Sequence, residues 1–130
     1  MTLARILLTG GSSFTGFWIA KALAQAGYEV IAPVTRHPGG YEGLRAERVE
    51  RLAAYARVVF EAPFGSPAFL TLITDGVDLL AHHAADIPNY RSPNYDVISG
   101  VGRNLAGAEK VLSALADVGA TGGIVTGTTF

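Results

Sequence analysis

Eight residues near the start of the chain, Thr9-Gly10-Gly11-Ser12-Ser13-Phe14-Thr15-Gly16, combine glycines with small hydroxyl side chains, a composition suited to holding an anion. The chemistry on offer is that of the backbone. Where a helix begins, its first N–H groups have no internal partner and sit at the positive end of the helix dipole, so a pyrophosphate can take them. Residues poor in side chain let the anion come close. Glycines also mark turns for purely steric reasons, so the flanking pattern decides between the two uses. Residues 6–8 (Ile-Leu-Leu) form a short apolar run suited to a strand buried on both faces. Residues 17–26 then place Trp18, Ile19, Ala22, Leu23 and Ala26 at helical spacing, and Gly27 closes the helix. A second strand is predicted over 29–35, which completes a βαβ unit with the glycine turn at its first corner.

The other residues that could do chemistry are fewer. His82 and His83 are adjacent, but neighbours on a strand point to opposite faces and no third ligand lies close in sequence, so no metal site is expected. The absence of cysteine excludes disulfides, thiolate nucleophiles and cysteine-containing zinc sites. Arg45, Arg48 and Arg51 share a helical face, interleaved with Glu42, Glu47 and Glu50, and read as a solvated face with helix ion pairs. Tyr90 and Tyr95, around a loop rich in Pro and Asn, read as loop anchors, with a substrate-facing role as the alternative.

These residues must be positioned by a single domain, since 130 residues build one real core and are too few for two. Hydrophobic residues make up 49% of the chain and the mean hydropathy is +0.31, on the apolar side for a free-standing domain, which hints at missing cover. A net charge of −1 with no large basic cluster argues against nucleic acid as a partner. No apolar run approaches the roughly 20 residues of a membrane helix, and the start lacks the form of a signal peptide, so no membrane partner and a cytoplasmic location are expected. Further strands are predicted over 57–61, 77–82 and 124–126, with a short helix over 66–74. The loop 86–93 leads to one long helix over 95–118, and a glycine-rich break follows over 119–123. Such alternation predicts an α/β fold, a Rossmann-type doubly wound parallel sheet truncated after about five strands.

Four segments in order resemble the extended short-chain dehydrogenases/reductases, the NAD-dependent epimerase/dehydratase family. The turn from Thr9 to Gly16 matches that family's Thr-Gly-x-x-Gly-x-x-Gly, with Ser13 at the middle glycine. Asp78-Leu79-Leu80-Ala81-His82-His83-Ala84-Ala85 resembles its Asp-x-x-x-His-x-Ala-Ala strand, and the segment from Asn104 to Leu112 its Asn-Val-x-Gly-Thr-x-Asn-Leu-Leu helix. Thr126-Gly127-Thr128 falls at the family's Ser/Thr-rich end of strand five. The resemblance implies a nicotinamide dinucleotide held by Gly10, Ser12, Ser13, Phe14, Thr15 and Gly16, by Thr35 and Arg36 after the second strand, by Ala62 and Pro63, by His82, His83, Ala84 and Ala85, and by Asn104 and Thr126.

Departures from the pattern carry information. Ser13 either redirects the loop slightly or offers its hydroxyl to a phosphate oxygen. Where NAD-specific relatives place an acid on the ribose 2′-hydroxyl, this chain has Val34-Thr35-Arg36, with Arg36 standing 20 positions past Gly16. A guanidinium attracts a 2′-phosphate with paired hydrogen bonds, so NADP is favoured over NAD. Ala62 replaces an aspartate that relatives often carry near the adenine. The family's chemistry is hydride transfer assisted by a Tyr-x-x-x-Lys pair, with a Ser or Thr holding the reacting oxygen. Thr128 is the expected holder and Thr129 the reserve. None of Tyr28, Tyr41, Tyr55, Tyr90 and Tyr95 has a lysine four positions on; Tyr41 has Arg45. The chain is therefore expected to be the N-terminal part of a longer enzyme, without turnover of its own, rather than a minimal binding module. For the parent the resemblance implies a small-molecule substrate, a nucleotide sugar, and a homodimer. An NADP-dependent carbonyl reductase is the alternative, and an NADP-binding regulator without turnover is the other class.

Overall fold

The computed structural model describes residues 4–85, 92–94 and 96–126. Its centre is a five-stranded parallel sheet in the order β3-β2-β1-β4-β5. The strands are β1 (Arg5–Thr9), β2 (Glu29–Pro33), β3 (Arg57–Val59), β4 (Leu79–His82) and β5 (Gly122–Val125). The connections are α1 (Phe14–Gln25), α2 (Gly43–Leu52), α3 (Pro67–Thr74), and the pair α4 (Val97–Leu105) and α5 (Ala108–Asp117). Parallel neighbours need crossovers, and helices pack on both faces of the buried central strands β1 and β2, while β5 at the edge is exposed. Successive β1 residues serve opposite layers. Leu7 packs with Phe69, Leu72 and Ile73 of α3 and with Val111 and Leu115 of α5. Leu8 packs with Ala20 of α1 and Leu52 of α2. The doubly wound Rossmann-type sheet is as expected.

The register puts the site together. Leu8 lies beside Ala81 and Thr9 beside His82, so β1 and β4 end level with each other. The chain leaves β1 toward β2 on one side, while β4 and β5 lie on the other. Ligands in open α/β sheets bind at such a switch point, outside the carboxyl ends of the strands.

Several boundaries differ from those read in the sequence. Helix α1 starts three residues earlier, at Phe14, because Ser13 caps it. The single helix expected over 95–118 is two. Gly107 adopts φ 81°, and a Cβ there would lie 2.9 Å from Cα of Gly65, itself at φ 80°. Two left-handed glycines let the backbones cross, and a continuous helix would not permit it. Strand β5 begins at Gly122, inside the expected glycine break, since pairing of Gly122 and Gly123 with Leu79 and Leu80 overrides their poor strand propensity. Strands β2, β3 and β4 are shorter than expected, and most of the loop 86–93, with Tyr90, lies outside the described residues, as does Tyr95.

Candidate functional site

The turn between β1 and α1 is organised by its own backbone. Ser13 N–H and Oγ–H both donate to the carbonyl of Gly10, at 3.1 and 2.8 Å, and Ser13 Oγ accepts from Gly16 N–H at 3.0 Å. The serine at the family's middle-glycine position is thus the helix cap, with its hydroxyl proton spent inside the turn. It does not offer that proton to a ligand. Phe14 and Thr15, the next two residues, have N–H groups that bond to none of the described residues, and both are exposed. Two unpaired donors at a helix start, with no acidic residue in the first turn, suit a pyrophosphate.

The flanking glycines have a different first duty from the one their spacing suggests. A Cβ on Gly16 would overlap the carbonyl of Gly10. Gly10 sits at φ 78°, and a Cβ there would come within 2.9 Å of Ala84 N. Both glycines are required for the turn to close against itself and against the end of β4. Substituting either with valine damages the fold before it can report on a ligand.

Thr9, buried at 3% exposure, ties the two strand ends together. Its Oγ1 accepts from the N–H groups of His83 and Ala84, each at 3.0 Å, and lies 2.8 Å from His82 Nδ1. A hydroxyl has one proton and two acceptor positions. With both acceptor positions taken by backbone donors, the proton must go to Nδ1, which makes His82 the neutral tautomer protonated on Nε2. Burial, and secondly repulsion from His83, push the His82 pKa below its ordinary value, in agreement. The ring rests on Phe64, with centroids 4.3 Å apart. His83 turns to a different partner, Thr126 Oγ1, at 3.0 Å from Nδ1. Its rim position beside Ile19, Leu23 and Ile124 borders an apolar cleft between α1 and the sheet, whose lining is unsuited to a charged ligand.

Beyond β2, Ala62 is buried and its N–H donates to Val34 O at 2.9 Å, while Pro63 is exposed. Glu61 takes φ 54°, a left-handed conformation unusual for a residue with a side chain, and donates its N–H to Arg36 O. Thr35 and Arg36 are exposed. The Arg36 guanidinium donates to Gly40 O at 3.2 Å and lies over the Tyr41 ring. Ser12, half-buried, gives its carbonyl to Arg48 Nε at 3.1 Å. Arg48 therefore departs from the expected solvated face: among the described residues the ion pair is Arg5 with Glu29, and Arg48 serves the turn instead.

The structure brings Gly10 to Gly16 together with His82, His83 and Ala84 at one end of the sheet. Thr35 and Arg36 follow the neighbouring strand β2 at that same end. Asn104 lies on α4 with its Nδ2 donating to Gly100 O, within its own helix. Thr126 follows β5, and its N–H donates to His82 O. Thr128 and Thr129 lie outside the described residues. Among the described residues no helix is long and apolar enough to cross a membrane. Phe64 was not singled out from sequence, and neither Thr9 nor Arg48 was expected to have the contacts it makes here. Thr9 carried a signal, as the first residue of the turn motif; the reach of Arg48 to Ser12 depends on how α2 docks.

A parallel doubly wound sheet in this strand order defines a Rossmann-type α/β fold. Residues 6–129 match the NAD dependent epimerase/dehydratase family, and the chain belongs to it. Among solved structures it is similar to UDP-glucose-4-epimerase from Stenotrophomonas maltophila with bound NAD, at 22% identity and a TM-score of 0.73, over 97% of this chain and 37% of that one. It is similar to UDP-glucuronic acid 4-epimerase from Bacillus cereus in complex with NAD, at 20% identity and a TM-score of 0.69, over 96% of this chain and 40% of that one. A yeast methylglyoxal/isovaleraldehyde reductase complexed with NADPH matches at 16% identity and a TM-score of 0.66, over 95% of this chain and 37% of that one. At these identities the likeness is one of fold, and the chain spans about two fifths of the length of these structures or less. No curated protein matches the sequence at a significant level.

Proposed function

We propose that residues 1–130 form the dinucleotide-binding part of an NAD(P)-dependent epimerase or dehydratase acting on a nucleotide sugar. The observation that carries this reading is the pair of N–H groups on Phe14 and Thr15 that bond to none of the described residues, at a helix start packed against the end of β4. These donors hold the pyrophosphate. Gly10 and Gly16 keep the turn closed, and Ser13 fixes where the helix begins. His82 and Phe64 present a flat neutral surface beside the turn. When bound, the nicotinamide supplies hydride exchange with a sugar or alcohol carbon. Thr128 holds the reacting oxygen, and the proton is carried by a Tyr-x-x-x-Lys pair supplied elsewhere in a longer chain. A cytoplasmic location and a homodimer belong to the same reading.

Arg36 favours NADP, and with it the second reading, an NADP-dependent carbonyl reductase. No acidic residue occupies positions 34–36 to accept from a ribose 2′-hydroxyl.

Thr15→Asp tests the proposal without disturbing the fold. Thr15 is exposed in the first turn of α1, where a carboxylate favours the helix dipole but repels a pyrophosphate. Calorimetric titration of the full-length protein is expected to show NAD and NADP binding weakened together, by about tenfold or more, with thermal stability kept or raised. Unchanged binding of both cofactors would remove the pyrophosphate from this turn.

A further inference from the structure

The end of β4 is tied to the end of β1 by one oxygen atom. Thr9 Oγ1 accepts from the N–H groups of His83 and Ala84, each at 3.0 Å, and gives its only proton to His82 Nδ1 at 2.8 Å. That arrangement is full. A proton added to His82 goes to Nδ1, since Nε2 already carries one, and Nδ1 then becomes a third donor aimed at an oxygen with two acceptor positions. One of the three bonds has to break.

What breaks bears on the glycine turn. Gly10, the residue after Thr9, packs so closely on β4 that a Cβ there would lie 2.9 Å from Ala84 N. Its carbonyl accepts from Ser13 N–H at 3.1 Å and from Ser13 Oγ at 2.8 Å, and Ser13 is the cap that starts α1 at Phe14. A path of direct contacts therefore leads from His82 to the donors of Phe14 and Thr15 through Thr9, Ala84, Gly10 and Ser13. The other neighbours of His82 do not titrate: Phe64 lies against the ring, and Val125 and Thr126 lie beside its backbone. Among the described residues the titratable group that acts on it is His83, whose own ring is held on Thr126.

We infer that His82 is a positioning residue for the dinucleotide, acting through Thr9: its neutral form holds the β1–α1 turn in the shape that takes the pyrophosphate, and its protonation releases that shape and weakens binding. This rests on the dinucleotide reading and goes beyond it by making cofactor affinity depend on pH. The sign separates it from a simple charge effect. An imidazolium near the turn would attract a pyrophosphate and strengthen binding in acid, whereas loss of the Thr9 tie weakens it. Salt screens a through-space charge and leaves a hydrogen-bonded geometry in place, so the second effect prevails at ordinary ionic strength. Burial, and secondly repulsion from His83, hold the His82 pKa below its ordinary value, so the weakening sets in below about pH 6.5.

The test is calorimetric titration of NAD into the full-length protein and its His82→Asn variant between about pH 7.5 and about pH 5, with melting curves to confirm that both are folded at each pH. NAD is the probe because its pyrophosphate keeps its charge there, while the phosphomonoester of NADP titrates at about pH 6. If wild type takes only NADP, that cofactor is used, and comparison of the two proteins cancels its own titration. Asn places an amide oxygen near the position of Nδ1, where it accepts from Thr9 and does not titrate. Wild-type affinity is expected to fall by about 5-fold or more over that range, the usual size of a coupling between two sites, and that of His82→Asn to change less steeply. If His82→Asn does not fold, amide NMR of the cofactor-free wild type carries the test. The N–H signals of His83, Ala84, Phe14 and Thr15 are then expected to move with the same midpoint as the His82 ring. Equal pH slopes in the two proteins, wild-type affinity that rises in acid, or turn signals that stay still while the ring titrates would each overturn the inference and leave the dinucleotide reading standing. Wild-type protein that binds neither NAD nor NADP at any pH overturns both.

Discussion

At the scale of single residues, the Thr9 hydroxyl decides the most. It satisfies two backbone donors and spends its proton on His82, from a side chain that is itself buried. Thr9→Val keeps the shape but leaves the N–H groups of His83 and Ala84 without an acceptor. A loss of about 2 to 4 kcal/mol is expected, from one to two buried donors left unpaired, while Thr9→Ser is expected to be mild; denaturant melts measure both. His82 also makes stability depend on pH. Its folded pKa lies below the ordinary 6.5, so the unfolded chain binds the proton more readily. The stabilisation is complete above about pH 6.5 and is lost as the pH falls through the folded value. Melting temperatures between about pH 7 and pH 5.5 are expected to drop more steeply in wild type than in His82→Gln. Equal slopes would place the titrating group elsewhere. The assignment of the His82 proton to Nε2 is open to direct reading by nitrogen chemical shifts of the ring.

At the scale of elements, glycines that look alike in the sequence separate into distinct kinds. Helix interiors ordinarily gain from Gly→Ala by about 0.5 to 1 kcal/mol. Gly102, in α4, has open space where a Cβ would stand, with no neighbouring atom within 4 Å, so Gly102→Ala is expected to stabilise by about that amount. Gly16 is also helical, yet its methyl would overlap Gly10 O, so Gly16→Ala is expected to destabilise by about 1 to 3 kcal/mol or more. The opposite signs, read from chemical denaturation of both variants, check the packing of the turn. The same distinction explains what was legible beforehand. Apolar patterning showed five strands along the chain together with α1 and α3, while the helix at α2 was legible only in the spacing of Arg45, Arg48 and Arg51. It could not show that Gly107 breaks the helix, since that depends on Gly65 meeting it from 42 positions earlier in the chain. Nor could it separate Arg48 from Arg45 and Arg51, whose spacing is identical; only the docking of α2 sends Arg48 to Ser12 and leaves the others exposed.

At the scale of the whole molecule, strand order explains why residues far apart in sequence act together. Placing β4 beside β1, and β2 on the other side, brings the glycine turn against His82–Ala85 at the switch point, where an open α/β sheet leaves a crevice. The family match and the shared fold agree with that placement, and the chain accounts for about two fifths of the length of the structures it resembles. Amide NMR of the protein during titration with NADP reads the crevice most directly. The backbone N–H signals of Phe14 and Thr15 are expected to shift most and to saturate together, with smaller shifts at Gly10, Ser12 and Ala84 and little change along α4 and α5. Saturable binding that leaves Phe14 and Thr15 unmoved, or shifts confined to other elements, would contradict a pyrophosphate held at the start of α1.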